Sequence, residues 1–385
     1  MTRDSSLRIT AVDAFPTSFP VPPGNSVTLG VGRMVKRDAV MVRVTTESGL
    51  VGWGEAHHGR APGAVAKLVE TTLRQLVLGC DAHDVVGTWQ RVYDKQLASH
   101  GMGAGSSIAL SGIDMALWDI RGKALGVPLY RLLGGASRPV PAYAGGLSLG
   151  YQPPDDLVAE AHVHVAAGYR AVKLRVGDTV TDDVARVEAV RKAFGEQLTI
   201  LTDANTGYDV AKARAAMPRF DALGVGWLEE PFPAHDARSY QMAAGFGRTP
   251  LAAGENHYTR FEFQRVIEDR AITILQPDLS KTGGVTEALR IAHLASAWKL
   301  PIHPHTSMTG VNMAATLHFL CAIDNAGYFE ADVSKNNLFR DELVATSCRV
   351  DAAGCVRPPE GPGLGVEIDM AFLAAHPLID GPSYV

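Results

Sequence analysis

Four cysteines, Cys80, Cys321, Cys348 and Cys355, are scattered through 385 residues, and no two of them form a CxxC pair. A disulfide framework is therefore a poor reading, and reduced thiols in a cytoplasmic enzyme a better one. No run of about 18 apolar residues occurs, and the opening MTRDSSLRIT lacks the apolar stretch of a secretory signal, so a soluble chain is expected. Positive charge is in short supply as well. Lys and Arg number 36 against 41 Asp and Glu, the formal net charge is −5, and no Lys/Arg run appears. Such a surface makes nucleic acid and anionic membrane poor partners and a small soluble molecule a better one. Low-complexity segments and long linkers are absent too.

What is present is apolar content: 46% of the chain is hydrophobic, enough to bury a large core, and the length exceeds one ordinary domain. Up to about residue 60, DAVMVRVTTESGLVGWGEA alternates apolar and polar residues, with Glu47-Ser48-Gly49 as the turn of a hairpin. From Ala64 to about Leu97 the pattern is helical. A second helix is expected to open at Ser106 or Ser107, with Leu110, Ile113, Leu117 and Ile120 as its apolar stripe. From Val140 onward eight short apolar segments alternate with helical ones: PVPAYAG, AVKLRV, TILTDAN, GWLEEP, LAAGEN, ITILQPD, LPIHPH and GYFEAD. The expected fold is α/β, a (β/α)8 TIM-like barrel over 138–350, with an N-terminal α+β capping domain over 1–130. Residues 351–385 are expected to return to that cap.

Asp203, Glu229 and Glu255 each close one of these segments, at equal gaps of 26 residues. One β/α unit takes roughly 25 to 35 residues, so equal spacing places the three acids at the same end of successive parallel strands. Carboxylates gathered in this way repel unless a cation lies among them, and three oxygen ligands with room for water and substrate suit Mg²⁺. Taken singly, each acid has the ordinary alternative of a helix cap or a loop residue. The register is what speaks against it, because Lys173, Asp278, His305 and Glu330 end other strands facing the same mouth. Lys173 and Arg175, two apart on a strand, share its inner face, where carboxylates or an anionic substrate would balance them. Asp278 and His305 fall on neighbouring strand ends, so the acid can fix one imidazole nitrogen and leave the other to exchange protons. His303, in the same HPH segment, is read as structural. The Gly101, Gly103, Gly105 run lacks dinucleotide-loop spacing. Gly283-Gly284 is a tight turn or an anion cradle. His57, His58 and Arg60 read as a solvated cap loop, with contact to the far end of an acidic substrate as the alternative.

These motifs together resemble the mandelate racemase subgroup of the enolase superfamily over nearly the whole chain. SGIDMALWDIRGK looks like the end of that family's cap, KLRVG its K-x-K strand, DAN, EEP and GEN its metal-ligand strands, and QPD with HPH its Asp/His dyad. The resemblance implies that Asp203, Glu229 and Glu255 bind Mg²⁺ and that Asp278 orients His305. It further implies that Lys173 and Glu330, the latter expected to be protonated, bind the substrate carboxylate, with Asn205 beside them. A homo-oligomer acting on a small-molecule carboxylate is expected. Arg175 departs from the family pattern, standing where K-x-K has its second lysine. A guanidinium is a poor general base, which argues against a symmetric two-base racemase and assigns Arg175 to substrate or leaving-group binding. The expected activity is dehydration of an aldonate or aldarate to a 2-keto-3-deoxy acid through an enediolate. Its rivals are a racemase, epimerase or lactone cycloisomerase in the same fold, a glycosidase using Glu229 and Glu255, and a non-catalytic sugar-acid binder.

Overall fold

The computed structural model describes residues 7–306, 308–344 and 348–385. Strand β1 (Ile9–Pro20) is followed by a small hairpin of β2 (Thr28–Leu29) and β3 (Gly32–Arg33), and then by β4 (Lys36–Thr46) and β5 (Val51–Ala56). β1, β4 and β5 form one antiparallel sheet, with β4 central and Phe15 opposite Met41. Against it lies the 22-residue helix Ala104–Leu125. Gly52 and Gly54 permit the approach, because a Cβ at either would come within 2.1 Å of a carbonyl oxygen of that helix.

The helix begins at Ala104, two residues before the serines expected to cap it, with Gly103 at φ 52° as its N-cap. Ser106 Oγ instead accepts from Met102 N, and Ser107 Oγ donates to the carbonyl of Lys281 at 2.8 Å. The second serine thus ties the cap to the barrel. The expected stripe of Leu110, Ile113, Leu117 and Ile120 is buried, but so is nearly all of the helix, because its other face meets the barrel helix Gly284–Ala297. There Trp118 Nε1 donates to Thr286 Oγ1 at 2.8 Å, and Asp114 Oδ2 accepts from Thr286 N at 2.9 Å.

The parallel strands β6 (Val140–Gly145), β7 (Ala171–Arg175), β8 (Thr199–Asp203), β9 (Leu228–Glu229), β10 (Leu251–Ala253) and β11 (Ile274–Leu275) pair in sequence order. β12 (Phe329–Asp332) closes onto β6, with Glu330 opposite Tyr143. This curled sheet with intervening helices is the expected TIM-like barrel. LPIHPH is less than the expected strand: only Ile302 pairs, bridging Leu275 and Ala326. Pro301 and Pro304 flank the bridge and have no N–H to extend a ladder. A short strand β13 (Cys355–Val356) pairs antiparallel with β6.

Two apolar clusters frame the mouth. Below it, Tyr143, Ala171, Leu201, Trp227 and Ala252 plug the barrel interior. Above it, the β2–β3 hairpin packs Leu29 and Met34 against Leu147 and Met308 of the barrel loops, and residues 383–385 pair along β3 through two Arg33–Val385 hydrogen bonds of 2.8 and 2.9 Å. Among the described residues no helix is long and apolar enough to cross a membrane, and the cysteines are free.

Candidate active site

The structure brings Lys173, Asp203, Glu229, Glu255, Asp278, His305 and Glu330 together at the C-terminal ends of the strands. Register does most of this, since Arg175 of β7 stands opposite Asp203 of β8, and Asp203 opposite Glu229 of β9. Lys173 Nζ lies 2.7 Å from Glu229 Oε1, 3.0 Å from Glu330 Oε1 and 3.4 Å from Asp203 Oδ2. Burial opposes its charge, but these acids outweigh burial and hold the ammonium well above its ordinary pKa. Arg175 pairs with Asp203, donates to the Gly146 carbonyl, and reaches Asn205 Oδ1 at 3.2 Å. Asn205 in turn donates to Asp203 Oδ2 at 3.3 Å.

His305 stands between two carboxylates. Its Nδ1 is 2.6 Å from Asp278 Oδ2 and its Nε2 is 2.6 Å from Glu255 Oε2. Burial would lower its pKa, yet Glu255 and Asp278 raise it well above the ordinary value, so the imidazolium is favoured. Asp278 is itself fixed by Ser280 N and Oγ, both at 2.7 Å, and by Asn312 Nδ2 at 3.1 Å.

Glu330 differs from expectation. Burial alone would favour the acid form, but Lys173, His305 and Arg175 bring its pKa down to about 2. It is a carboxylate here, with Gly146 N and Thr306 N donating to its two oxygens at 3.0 and 3.2 Å.

Among the described residues no three His, Cys, Asp or Glu side chains are posed around a common point as metal ligands. Lys173, Arg175 and His305 occupy the carboxylates instead. The donor set nonetheless fits a hard divalent cation. Burial, then repulsion from Asp203 and Glu330 against the pull of Lys173, leaves Glu229 raised to about 7. Burial, Glu255 and Asp203 likewise hold Glu230 well above the ordinary carboxylate range. Glu230 Oε1 is buried with no hydrogen-bond partner, while its Oε2 accepts from Asn256 Nδ2 at 2.8 Å. Crowded acids with an orphaned oxygen are what an added cation would relieve.

Sequence reasoning missed Glu230. In a regular strand, neighbours point to opposite faces, so the second acid of EEP would be sent away from Glu229. β9 ends at Glu229, however, and Glu230 has φ +37°, which turns its side chain into the mouth beside Asn205 and Glu255. Such a positive φ is the kind of feature found where geometry serves a site. Lys281 was missed as well; it sits three residues past Asp278 and lines the same cavity of about 300 Å³. The loop carrying His57, His58 and Arg60 is not simply solvated, because both imidazoles are buried and line that cavity, with only Arg60 exposed. Gly283 and Gly284, at φ +112° and +85°, form a turn that docks the cap: Gly283 N donates to Ser111 Oγ at 2.9 Å, and a Cβ on Gly284 would lie 2.3 Å from Asp114 Oδ2.

Two family descriptions match the chain, "Mandelate racemase / muconate lactonizing enzyme, N-terminal domain" over residues 15–134 and "Enolase C-terminal domain-like" over 156–372. Among curated relatives, an arabinonate dehydratase of Saccharolobus solfataricus is 32% identical over 333 residues, 86% of this chain and 88% of the relative. A 3,6-anhydro-alpha-L-galactonate cycloisomerase of Streptomyces coelicolor is 33% identical over 347 residues, covering 89% and 92%. Among solved structures, a member of the enolase superfamily from Polaromonas sp. JS666 superposes with a TM-score of 0.96 at 53% identity, covering 98% of this chain and all of that one. A racemase from Streptomyces coelicolor A3(2) with bound magnesium gives 0.87 at 30% identity, over 96% and 100%.

Proposed function

The chain belongs to the mandelate racemase/muconate lactonizing enzyme family of the enolase superfamily, and from that premise we propose that it dehydrates a sugar acid to a 2-keto-3-deoxy acid. Asp203, Glu229 and Glu255, with Glu230 beside them, would hold Mg²⁺, which supplies Lewis-acid stabilisation of the charge that builds on the substrate carboxylate. Lys173 adds a fixed positive charge at the same place, and its pairing with Glu330 holds it there without reorganisation.

The observation that carries this reading is the contrast between His305 and Arg175. His305 is held at Nδ1 by Asp278 and at Nε2 by Glu255; were Glu255 engaged by a cation, Nε2 would be released to exchange protons with substrate and the ring would lose a neighbour that favours its charged form. Across the mouth stands a guanidinium paired with Asp203, a group unsuited to take a proton. With one competent acid/base, His305 as neutral imidazole removes the α-proton. The C–H electron pair becomes the new double bond, the β C–O bond breaks, and the departing hydroxyl takes the proton back from His305 as water. The enol then tautomerises. The dehydratase relative supports this reading, and Glu229, held by Lys173 and by Gln276 Nε2 at 2.7 Å, is poorly placed for glycosidase chemistry. The cycloisomerase relative supports a second reading, with the same proton removal and a ring oxygen as leaving group.

Purified protein incubated with Mg²⁺ and a panel of aldonates, aldarates and their lactones should yield 2-keto product and should stop on chelation. Full turnover after exhaustive chelation rejects the metal assignment. Isomerised product with no 2-keto acid selects the second reading.

A further inference from the structure

We propose that Lys281, His57 and His58 form a second anion-binding half of the mouth, which selects a sugar acid carrying a carboxylate at both ends. This deepens the proposed function and takes the site from it.

Lys281 is placed with care. Its N–H donates to Asp278 O at 3.0 Å, and its carbonyl is held by Ser107 of the cap helix. The side chain is 6% exposed, yet its ammonium makes no hydrogen bond among the described residues. Its nearest acid, Glu255 Oε1, lies 3.6 Å away, and that carboxylate already serves His305 and Asn256. A buried ammonium with three unused N–H groups is costly unless a ligand meets it. Its open side faces the cavity shared with His305 and Arg175.

The two histidines complete the surface. His57 N donates to Ser280 O at 3.0 Å, docking the cap loop onto the segment that carries Lys281. His57 Nδ1 accepts from Gly59 N and His58 Nδ1 from Arg60 N, each at 3.0 Å. An Nδ1 that accepts carries no proton, so both rings are neutral with Nε2–H as donor, and neither Nε2 has a partner among the described residues. The rings stack with centroids 4.1 Å apart. Lys281 and the two histidines therefore offer donors and no acceptor. A carboxylate only accepts and can take several of these donors at once, whereas a hydroxyl meets fewer of them and must turn its own proton away, toward Glu255. Counting the Ile302 bridge as the seventh, β7 and β11 take the second and sixth of eight places around the barrel, so Lys281, just past β11, stands across it from Lys173 and Arg175. A diacid spanning the mouth would meet a cation at each end.

Calorimetric titration of the Mg²⁺-supplemented protein with adipate, which has no α-hydroxyl to eliminate, against 6-hydroxyhexanoate reads this site without turnover. Adipate should bind about 10- to 100-fold more tightly, the gain expected for a charge-assisted contact. Lys281→Met should erase the difference and Lys281→Arg should retain most of it; Lys281→Gln replaces the Met variant if that one does not fold. Equal affinities in the unmodified protein, no binding of either compound, or a diacid preference untouched by loss of the Lys281 charge overturns the proposal. A Lys281-dependent preference for adipate in a protein that converts no sugar acid to a 2-keto product would leave this proposal standing and sink the dehydratase reading.

Discussion

His303 and His305 lie two residues apart in one HPH segment and occupy adjoining layers of the barrel with opposite electrostatics. His303 belongs to the lower layer, its ring centroid 5.1 Å from that of Trp227 and 5.7 Å from that of Tyr328, with Nδ1 accepting from Tyr328 N at 2.9 Å. Burial alone takes its pKa down to about 4. His305, in the layer above, is also buried, yet two carboxylates at 2.6 Å drive it the other way. Desolvation is common to both; what separates them is whether a carboxylate shares the layer. The plug tolerates only neutral groups, and the mouth tolerates charge because nearly every charge there is answered.

The sharpest way to test that division is to remove the mouth histidine. His305→Asn should retain the fold and Mg²⁺ binding while turnover falls by about 10² to 10⁴. Near-normal turnover would remove His305 from the chemistry. Next in size is Lys173→Met, which leaves Glu229, Glu330 and Asp203 without their shared cation. Breaking a buried ion network of this kind costs about 3 to 5 kcal/mol, read as a lower denaturation midpoint in the absence of metal. An unchanged midpoint would mean that Lys173 does not hold the ring together.

Glu230→Gln is expected to have a smaller effect, weakening Mg²⁺ about tenfold by calorimetry while leaving stability without metal the same or higher, because a crowded acid has been neutralised. Unchanged Mg²⁺ affinity would detach Glu230 from the cation site. This residue also marks where the sequence stops being legible. The equal spacing of Asp203, Glu229 and Glu255 reveals the strand ends, because β/α units have near-constant length and the acids sit at one phase of that repeat. The segments of the barrel are legible for the same reason, apart from LPIHPH, where two prolines strip the ladder to one residue. Glu230 and Lys281 escape because their aim depends on backbone just beyond a strand, a positive φ in one case and a turn bonded to Asp278 O in the other. Period-two alternation has no say there. Glu330 was legible in position but not in charge state, since its ionisation is decided by Lys173, His305 and Arg175 arriving from three other segments.

The smallest expected effect concerns the lower layer alone. An unfolded histidine titrates near 6.5 and folded His303 near 4, so between those values the unfolded chain binds the extra proton. The contribution of His303 to stability is therefore complete above about pH 6.5 and is lost as pH falls toward 4, at roughly 1.4 kcal/mol per pH unit. His303→Asn keeps an oxygen able to accept from Tyr328 N but removes the titration. The variant should be less stable than the parent at pH 7, having lost packing against Trp227. Its stability should nevertheless fall less steeply between pH 6.5 and 4, by about the slope of one group, because the buried His58, His257 and His318, each near 4, still titrate. Urea midpoints across that range measure the difference. Parallel curves for parent and variant would mean that His303 takes up its proton inside the fold as readily as in water, and the line drawn between plug and mouth would then lie elsewhere.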